Sequence, residues 1–596
     1  MLPFLPPLCI AASLVGFAPI PSQADPSQPM RPGPKSLRSH APEGTLIWIE
    51  SSALEPILGQ GLSHPLIARL LEEPLIAEDW KAKKFDPMAG LRLAEALLGR
   101  NPFELAHALA SGGIALGFLG VTPGKEAPFV MLRGLDGEAM ESAVEDLTGA
   151  LSGLGLLAEV DARESEGRSP SIRQAWQAPK SDGVVVWTSD GTLILTRTWK
   201  DAITCSGLSA RSSAIPEAYR QHFESTSIAE TFAWFDLDAL ESQVGLKDLR
   251  AMATEPGVHF VLGPALAYLG RAGSLSMDLD VSSEALRLRM RGDGVDAGEG
   301  AGSFPASDSI AKESSAPKDA VATAMLHRDL HFLLDRRTDL FPPRQQPGIA
   351  EGLSNLALLV GGPDALDELL SSLHPTLRLH SETIAFAENA EPDVPLPGLI
   401  LEVDLDEPDI NGSRLTSAFQ TAVTLTNVER AMKGEDGLRL GLESVDGVTV
   451  TRAKLQPPAP GSSVDLRYNL EPACAVVGRT FLVGTHGAPI AKAVQRLSGG
   501  STSQAAMPTR SDDWIPVDRL QLQGVPLHGL LTQQRDLIVM NSVLEDGKSQ
   551  RRAEAEADIL LELLGRVQRF EFHSDWLPEP RSKRTIRAGL TVHLLR

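Results

Sequence analysis

Four stretches in the first half of the chain recur in the same order in the second half, which restricts the fold more than any single motif does. The β-rich run Ile47 to Glu50 followed by Leu54 is echoed by Ala322 to Leu326 followed by Asp329-Leu330. Phe129 to Leu132, leading into a helix with Met140, Val144, Leu147 and Leu151 on one face, is echoed by Leu399 to Val403 before Leu415, Phe419 and Ala422. Thr192 to Leu195, entering a stretch from Lys200, is echoed by Thr480 to Val483 entering a helix through Ile490, Val494 and Leu497. The alternating runs Leu275 to Val281 and Leu286 to Met290 are echoed by Phe570, Phe572 and then Ile586 to Leu594. The match is one of pattern, with an offset that drifts from 276 residues at Leu54 to 295 at Leu275. It predicts a duplication, with insertions at 455–464 and 498–512.

The pattern predicts an α+β fold of two tandem units, each a mainly antiparallel sheet with helices packed on one face. Val184 to Trp187 and Thr192 to Thr196 flank Ser189-Asp190-Gly191, where Asp-Gly supplies the positive φ of a tight strand reversal. A helical stretch is expected from Leu54 to Glu73. The last helix is expected to bury Leu560, Leu563, Leu564 and Val567 at i, i+3, i+4 and i+7, and its acidic opposite face argues against a membrane surface. The implied domains are a first unit at 42–298, a linker rich in Gly, Ala, Ser and acids at 299–319, and a second unit at 320–596.

Before Asp25 no charged side chain occurs, and Leu5 to Phe17 is a mostly apolar run shorter than the roughly 20 residues a bilayer requires. With Ser22 and Ala24 at signal-peptidase spacing, residues 1–24 are expected to be a secretory signal. Residues 25–41, rich in Pro, Ser and Arg, are expected to be a flexible leader. No later segment reads as transmembrane. The protein is therefore expected to be exported, to the periplasm or beyond the cell.

The opening Pro42-Glu-Gly-Thr-Leu-Ile-Trp-Ile-Glu50, the strand and helix from Pro128 to Leu151, and Asp190-Gly-Thr-Leu-Ile-Leu195 before a helix resemble a family of secreted bacterial proteins catalogued as a domain of unknown function. That resemblance implies export and α+β architecture. It brings no catalytic residues.

A formal net charge of −22 over 596 residues repels phosphate backbones and anionic membranes, so nucleic acid is excluded as a partner. His327 and His331 have the i, i+4 spacing of helical zinc ligands, but Arg328, Asp329 and Leu330 between them lack the expected glutamate. His327-Arg-Asp329 imitates a kinase loop without the rest of that signature. Cys474 sits in a strand-like apolar run, whereas Cys205, beside Ser206-Gly207, is the better placed thiol; neither has an evident base. Asp236 with Asp238, Asp278 with Asp280, and Asp404 with Asp406 present paired carboxylates on strands, and strand-end capping is the simpler explanation. No catalytic, cofactor-binding or metal residue is assigned. The sequence favours a non-enzymatic exported binding or scaffold protein for an apolar ligand or a protein partner, with an exported hydrolase of non-standard site as the alternative.

Overall fold

The computed structural model describes residues 37–51, 101–120, 127–160, 171–179, 182–206, 230–244, 272–282, 284–296, 320–335, 337–340, 346–386, 395–455, 468–499, 515–577 and 583–595, with a few isolated positions besides. The expected signal peptide, the 54–73 helix and the 299–319 linker lie outside these residues. The chain divides into two compact units at Val295–Asp296. The fold is α+β, and the strands within each unit pair antiparallel.

The first unit contains β1 (Thr45–Ser51), β2 (Gly113–Leu119), β3 (Ala127–Arg133), β4 (Ala158–Glu159), β5 (Ile172–Gln177), β6 (Val184–Thr188), β7 (Thr192–Thr196), β8 (Glu230–Asp236), β9 (Ser274–Val281) and β10 (Ala285–Asp296). Their pairings give the spatial order β4-β5-β6-β7-β3-β2-β1-β8-β9-β10. The second unit contains β11 (Ala320–His327), β12 (Leu373–Glu382), β13 (Gly398–Leu405), β14 (Leu438–Val445), β15 (Val448–Leu455), β16 (Ala473–Val477), β17 (Thr480–Gly484), β18 (Ile515–Gln523), β19 (Val567–Leu577) and β20 (Lys583–Leu594). Their order is β14-β15-β16-β17-β13-β12-β11-β18-β19-β20.

Local chemistry sets the ends of these elements. Gly191, at φ 76°, turns β6 into β7, and Asp446 (φ 48°) with Gly447 (φ 81°) turns β14 into β15, the left-handed pair that a two-residue hairpin requires. Asp136 accepts hydrogen bonds from the amides of Glu138 and Ala139 and so starts helix Gly137–Gly153 after β3. Ser549 caps helix Gln550–Gly565 in the same way, accepting from the amide of Arg552.

Helices cover both faces of each sheet rather than the one expected. In the first unit Leu193 packs with Leu105, Leu109, Met140 and Val144 from two helices. Its neighbour Ile194, which points to the other face, packs with Ala202 and Cys205 of helix Trp199–Ser206. In the second unit Phe481 meets Leu415 and Phe419 of helix Pro408–Met432, while Leu482 meets Ile490 and Val494 of helix Gly487–Ser498. A strand buried on both sides shows unbroken apolar residues, as Leu193-Ile-Leu195 and Phe481-Leu-Val483 do.

Three further expectations are corrected. The leader ends earlier than Pro42: Leu37–His40 forms a 3-10 turn, with Leu37 buried in the first core. Its amide donates to Glu50 Oε1 at 2.8 Å while Trp48 Nε1 donates to Glu50 Oε2 at 3.1 Å, so one buried carboxylate pins the segment. On β9 the buried face carries Ser276, Asp278 and Asp280, and Leu279 is exposed, because Arg289 and Arg287 on β10 stand directly across from the two aspartates. In the last helix Ala553, Ala557 and Leu561 are buried and Leu560 is exposed. Small alanines carry the buried stripe there, so a count of leucines misplaces it.

Gly524, at the junction of β18 with helix Gly524–Gln533, has no room for a side chain: a Cβ would lie 1.9 Å from the Val567 carbonyl oxygen. Gly529 in the same helix is open. Gly524→Ala should destabilise by about 2–4 kcal/mol through forced backbone movement, whereas Gly529→Ala should stabilise by about 0.5–1 kcal/mol. Urea denaturation of both variants checks this, and equal effects would contradict the packing at Gly524.

Candidate functional site

Two clusters of polar side chains stand out, one in each unit. The first is built around the end of β3. Arg133 faces Thr192 across the β3–β7 ladder and donates to its hydroxyl at 2.8 Å. The same guanidinium reaches Asp190 Oδ2 in the β6–β7 turn at 3.2 Å and His40 Nε2 at 3.2 Å. Burial lowers the pKa of Arg133, with Asp190 and Glu50 opposing; a guanidinium starts so high that it stays charged. A cavity of about 40 Å3 next to this group is lined by His40, Ser171, Asp190, Cys205 and Ser206, among others.

That cavity gathers a thiol, hydroxyls, an imidazole and a carboxylate, the set a hydrolase would need. Their states do not suit the chemistry. Burial, then the charge of Asp201, pushes the Cys205 thiol far above its ordinary value, so no thiolate forms near neutrality. Ser171 Oγ donates its proton to the Ser206 carbonyl oxygen at 2.5 Å. The volume admits a water molecule or two and no acyl substrate. Cys474, likewise buried and free, lies in the core of the second unit, where burial raises its thiol to about 12 against hydrogen bonds to Thr451 and Thr416.

The second cluster lies on β12 and β13. Arg378 Nε donates to Glu402 Oε2 at 3.2 Å, and both of its terminal nitrogens reach Asp404, at 3.1 and 2.8 Å. Arg496, from helix Gly487–Ser498, donates to Glu402 Oε1, and His380 Nε2 lies 3.3 Å from the same oxygen. Thr480 on β17 donates to Asp404 Oδ1 at 2.6 Å. Glu402 has no exposed surface. Burial alone would raise its carboxyl, but His380 and Arg496 hold it down to about 2. Asp404 is also held below the usual carboxylate range, since burial is outweighed by the Arg378 fork and the Thr480 hydroxyl. Both carboxylates are thus ion-pair partners of Arg378.

The side chains weighed from sequence fall apart in space. His327 ends β11 and is buried, its pKa lowered to about 3 by burial and then by His374 and Arg328. His331 is in the following helix, exposed, 3.1 Å from Asp367. The four-residue spacing thus bridges a strand end and a helix start, and the pair shares no site. Asp236 accepts from the Ala239 amide at 2.9 Å as a helix cap. Asp280 pairs with Arg287 at 3.1 Å, and exposed Asp406 pairs with Arg479 at 3.2 Å. Among the described residues no three His, Cys, Asp or Glu side chains gather as a metal site. Sequence reasoning missed Arg378, Glu402 and the buried pair Arg328–Asp518 at 2.7 Å. The readable signal was charge at alternate positions in otherwise apolar strands, as in Arg378-x-His380-x-Glu382 and Glu402-x-Asp404.

Glu402→Gln removes the fully buried negative charge that Arg378 and Arg496 both meet and should cost roughly 3–5 kcal/mol at pH 7. The folded carboxyl titrates below its ordinary 4.5, so its stabilisation is complete above that pH and disappears as pH falls towards about 2. Denaturation of wild type and variant from pH 7 to pH 2 should show two curves converging in acid; a constant gap would remove the ion-pair explanation.

No protein-family model matches the chain, and no curated protein matches it. Among solved structures, one described as "Structure of crystal form III of TP0453" is similar over 43% of this chain and 78% of that chain, at 7% identity and a TM-score of 0.22. That likeness is too slight to carry fold or function across.

Proposed function

We propose that this chain is an exported, non-enzymatic binding or scaffold protein that holds an apolar ligand or a protein partner. The observation that carries this reading is an apolar stripe left in water in the second unit. On helix Pro408–Met432, Leu425, Val428 and Met432 follow at i, i+3 and i+7 and are 54%, 54% and 77% exposed. Helix Gln346–Val360, which packs against it, leaves Leu356 and Leu358 exposed as well. A stripe of large side chains at helical spacing is the form in which a surface offers itself to an apolar partner.

Export rests on the apolar leader with Ser22 and Ala24 before Asp25, and the resemblance of Pro42 to Glu50 to secreted bacterial proteins points the same way. No helix among the described residues is long and apolar enough to cross a membrane. The two-unit organisation is read as a duplication. In its support, ten strands follow one spatial order in each unit, and a helix follows the third and the seventh strand in both. A hydrolase is the alternative, favoured by the gathering of Ser171, Cys205, His40 and Asp190 at one cavity. The raised thiol and the size of that cavity weigh against it.

Native mass spectrometry of the protein purified from its source should show a retained ligand or partner on a chain that begins at Asp25. The double variant Val428→Lys with Met432→Lys should lose that adduct and change folding stability by less than about 1 kcal/mol, since both positions are exposed. An adduct retained equally by the variant would sink the reading of the stripe, and a chain still beginning at Met1 would sink export.

A further inference from the structure

Strand β14 ends the second unit's sheet, with no strand on its outer side among the described residues. Among the described residues β14 pairs with β15 alone, in a regular register from Leu438↔Leu455 to Val445↔Val448 with no bulge. All six central residues, Arg439 to Ser444, are exposed, including Leu440 at 45% and Leu442 at 73%. An edge strand of this length normally carries a device against pairing, such as proline, an inward charge, a bulge or a covering segment. Leu438-Arg-Leu-Gly-Leu-Glu-Ser-Val445 has no proline and no lysine, and its register has no bulge.

The sequence of this strand specifies what suits it. Suppose a second β14 approaches antiparallel about a two-fold axis through Gly441. Opposite residues in an antiparallel ladder point to the same face, and this register alone sets Arg439 of each copy against Glu443 of the other. It also sets Leu440 against Leu442 twice, so the four leucines form one apolar patch on one face while two Arg–Glu pairs form on the other. Gly441 meets itself at the centre, where the lack of a side chain leaves room for the flanking charges. Glu443 already receives Arg452 from β15 at 3.0 Å, so each carboxylate would join cations from both chains. Cross-strand pairs of opposite charge and of apolar side chains are the units that stabilise a sheet, and like charges at those positions oppose it.

We infer that β14 is a dimerisation edge, on which a second copy of this chain adds its own β14 antiparallel about Gly441 and continues the sheet. The occupant follows from self-complementarity: an isologous interface requires that the residue reaching out also be the residue received, and Arg439 with Glu443 and Leu440 with Leu442 meet that condition. This inference does not rest on the ligand reading: it is argued from the residues of β14 alone, against which helix Pro408–Met432 packs through Asn427 and Leu438.

Sedimentation equilibrium of the mature protein, up to roughly 100 µM because an edge-to-edge contact lies below the standard interface size, should give twice the monomer mass. Arg439→Glu and Glu443→Arg, made singly, each place like charges across the axis twice and should raise the dimer dissociation constant about tenfold or more. The double variant restores opposite charges across the axis and, because Glu443→Arg also faces Arg452 within each chain, should recover dimerisation well above either single variant without reaching wild type. Unchanged far-UV circular dichroism and melting of the variants show that they fold. Wild type that is monomeric at every concentration would overturn the inference, even if it captures a different extended partner. Single variants that dimerise like wild type, or a double variant that fails to recover, would overturn it too.

Discussion

A carboxylate with no exposed surface must find its partners inside the protein, and Glu402 finds them on two elements, a strand and a helix. Arg378 comes from the adjacent strand β12, His380 from two residues further along it, and Arg496 from the helix that crosses the sheet face. Each contact fixes a relation that backbone pairing leaves free. Arg378 opposite Glu402 sets side-chain register between β12 and β13, and Arg496 sets how helix Gly487–Ser498 lies on the strands. The apolar contacts of Ile400, Leu482, Ile490 and Val494 fill the rest of that face. Hydrophobic burial holds the layer together, but it is nondirectional; the charges restrict it to one arrangement.

The first unit solves the same geometry differently. Its third and seventh strands meet at Arg133↔Thr192, and those of the second unit meet at Asp404↔Thr480. The charge beside the threonine is reversed between them. Thr192 accepts from a guanidinium, and Thr480 donates to a carboxylate. A hydroxyl can do either, which lets one position tolerate both signs. One row further in, Ala115, Met131 and Ile194 stand side by side in the first unit where Arg378, Glu402 and Leu482 stand in the second. An apolar row and an ionic row therefore fit one strand order.

This explains which parts of the structure were legible in the sequence. Turns declare themselves through residues that alone accept the required φ, so the reversal at Asp190-Gly191 could be read, and Asp446-Gly447 carried the same signal. The helix from Gly137 was readable because Asp136 starts it and Met140 and Val144 recur on its buried side. Burial was harder. Ser276, Asp278 and Asp280 alternate with Leu275, Met277 and Leu279, and it is the polar set that is buried, with Arg287 and Arg289 of β10 directly across from the two aspartates. Hydrophobic alternation gives the period of a strand and, where charges can be paired, leaves the choice of face to the strand beside it.

The polar clusters were illegible for a related reason. Arg378, Glu402, Asp404, Thr480 and Arg496 lie on four separate elements spread over more than a hundred residues, and none is part of a recognisable motif. What the sequence does carry is a pattern that makes sense only in three dimensions: charged residues spaced by two within strands that are otherwise apolar. In an exposed sheet such residues would face water and need no partner. In a sheet covered by helices on both faces they cannot, so each must be matched by another charge on an adjoining strand or a crossing helix. Recognising that Phe481-Leu-Val483 is buried on both sides is therefore the step that turns Glu402 from a surface carboxylate into the centre of an ion network.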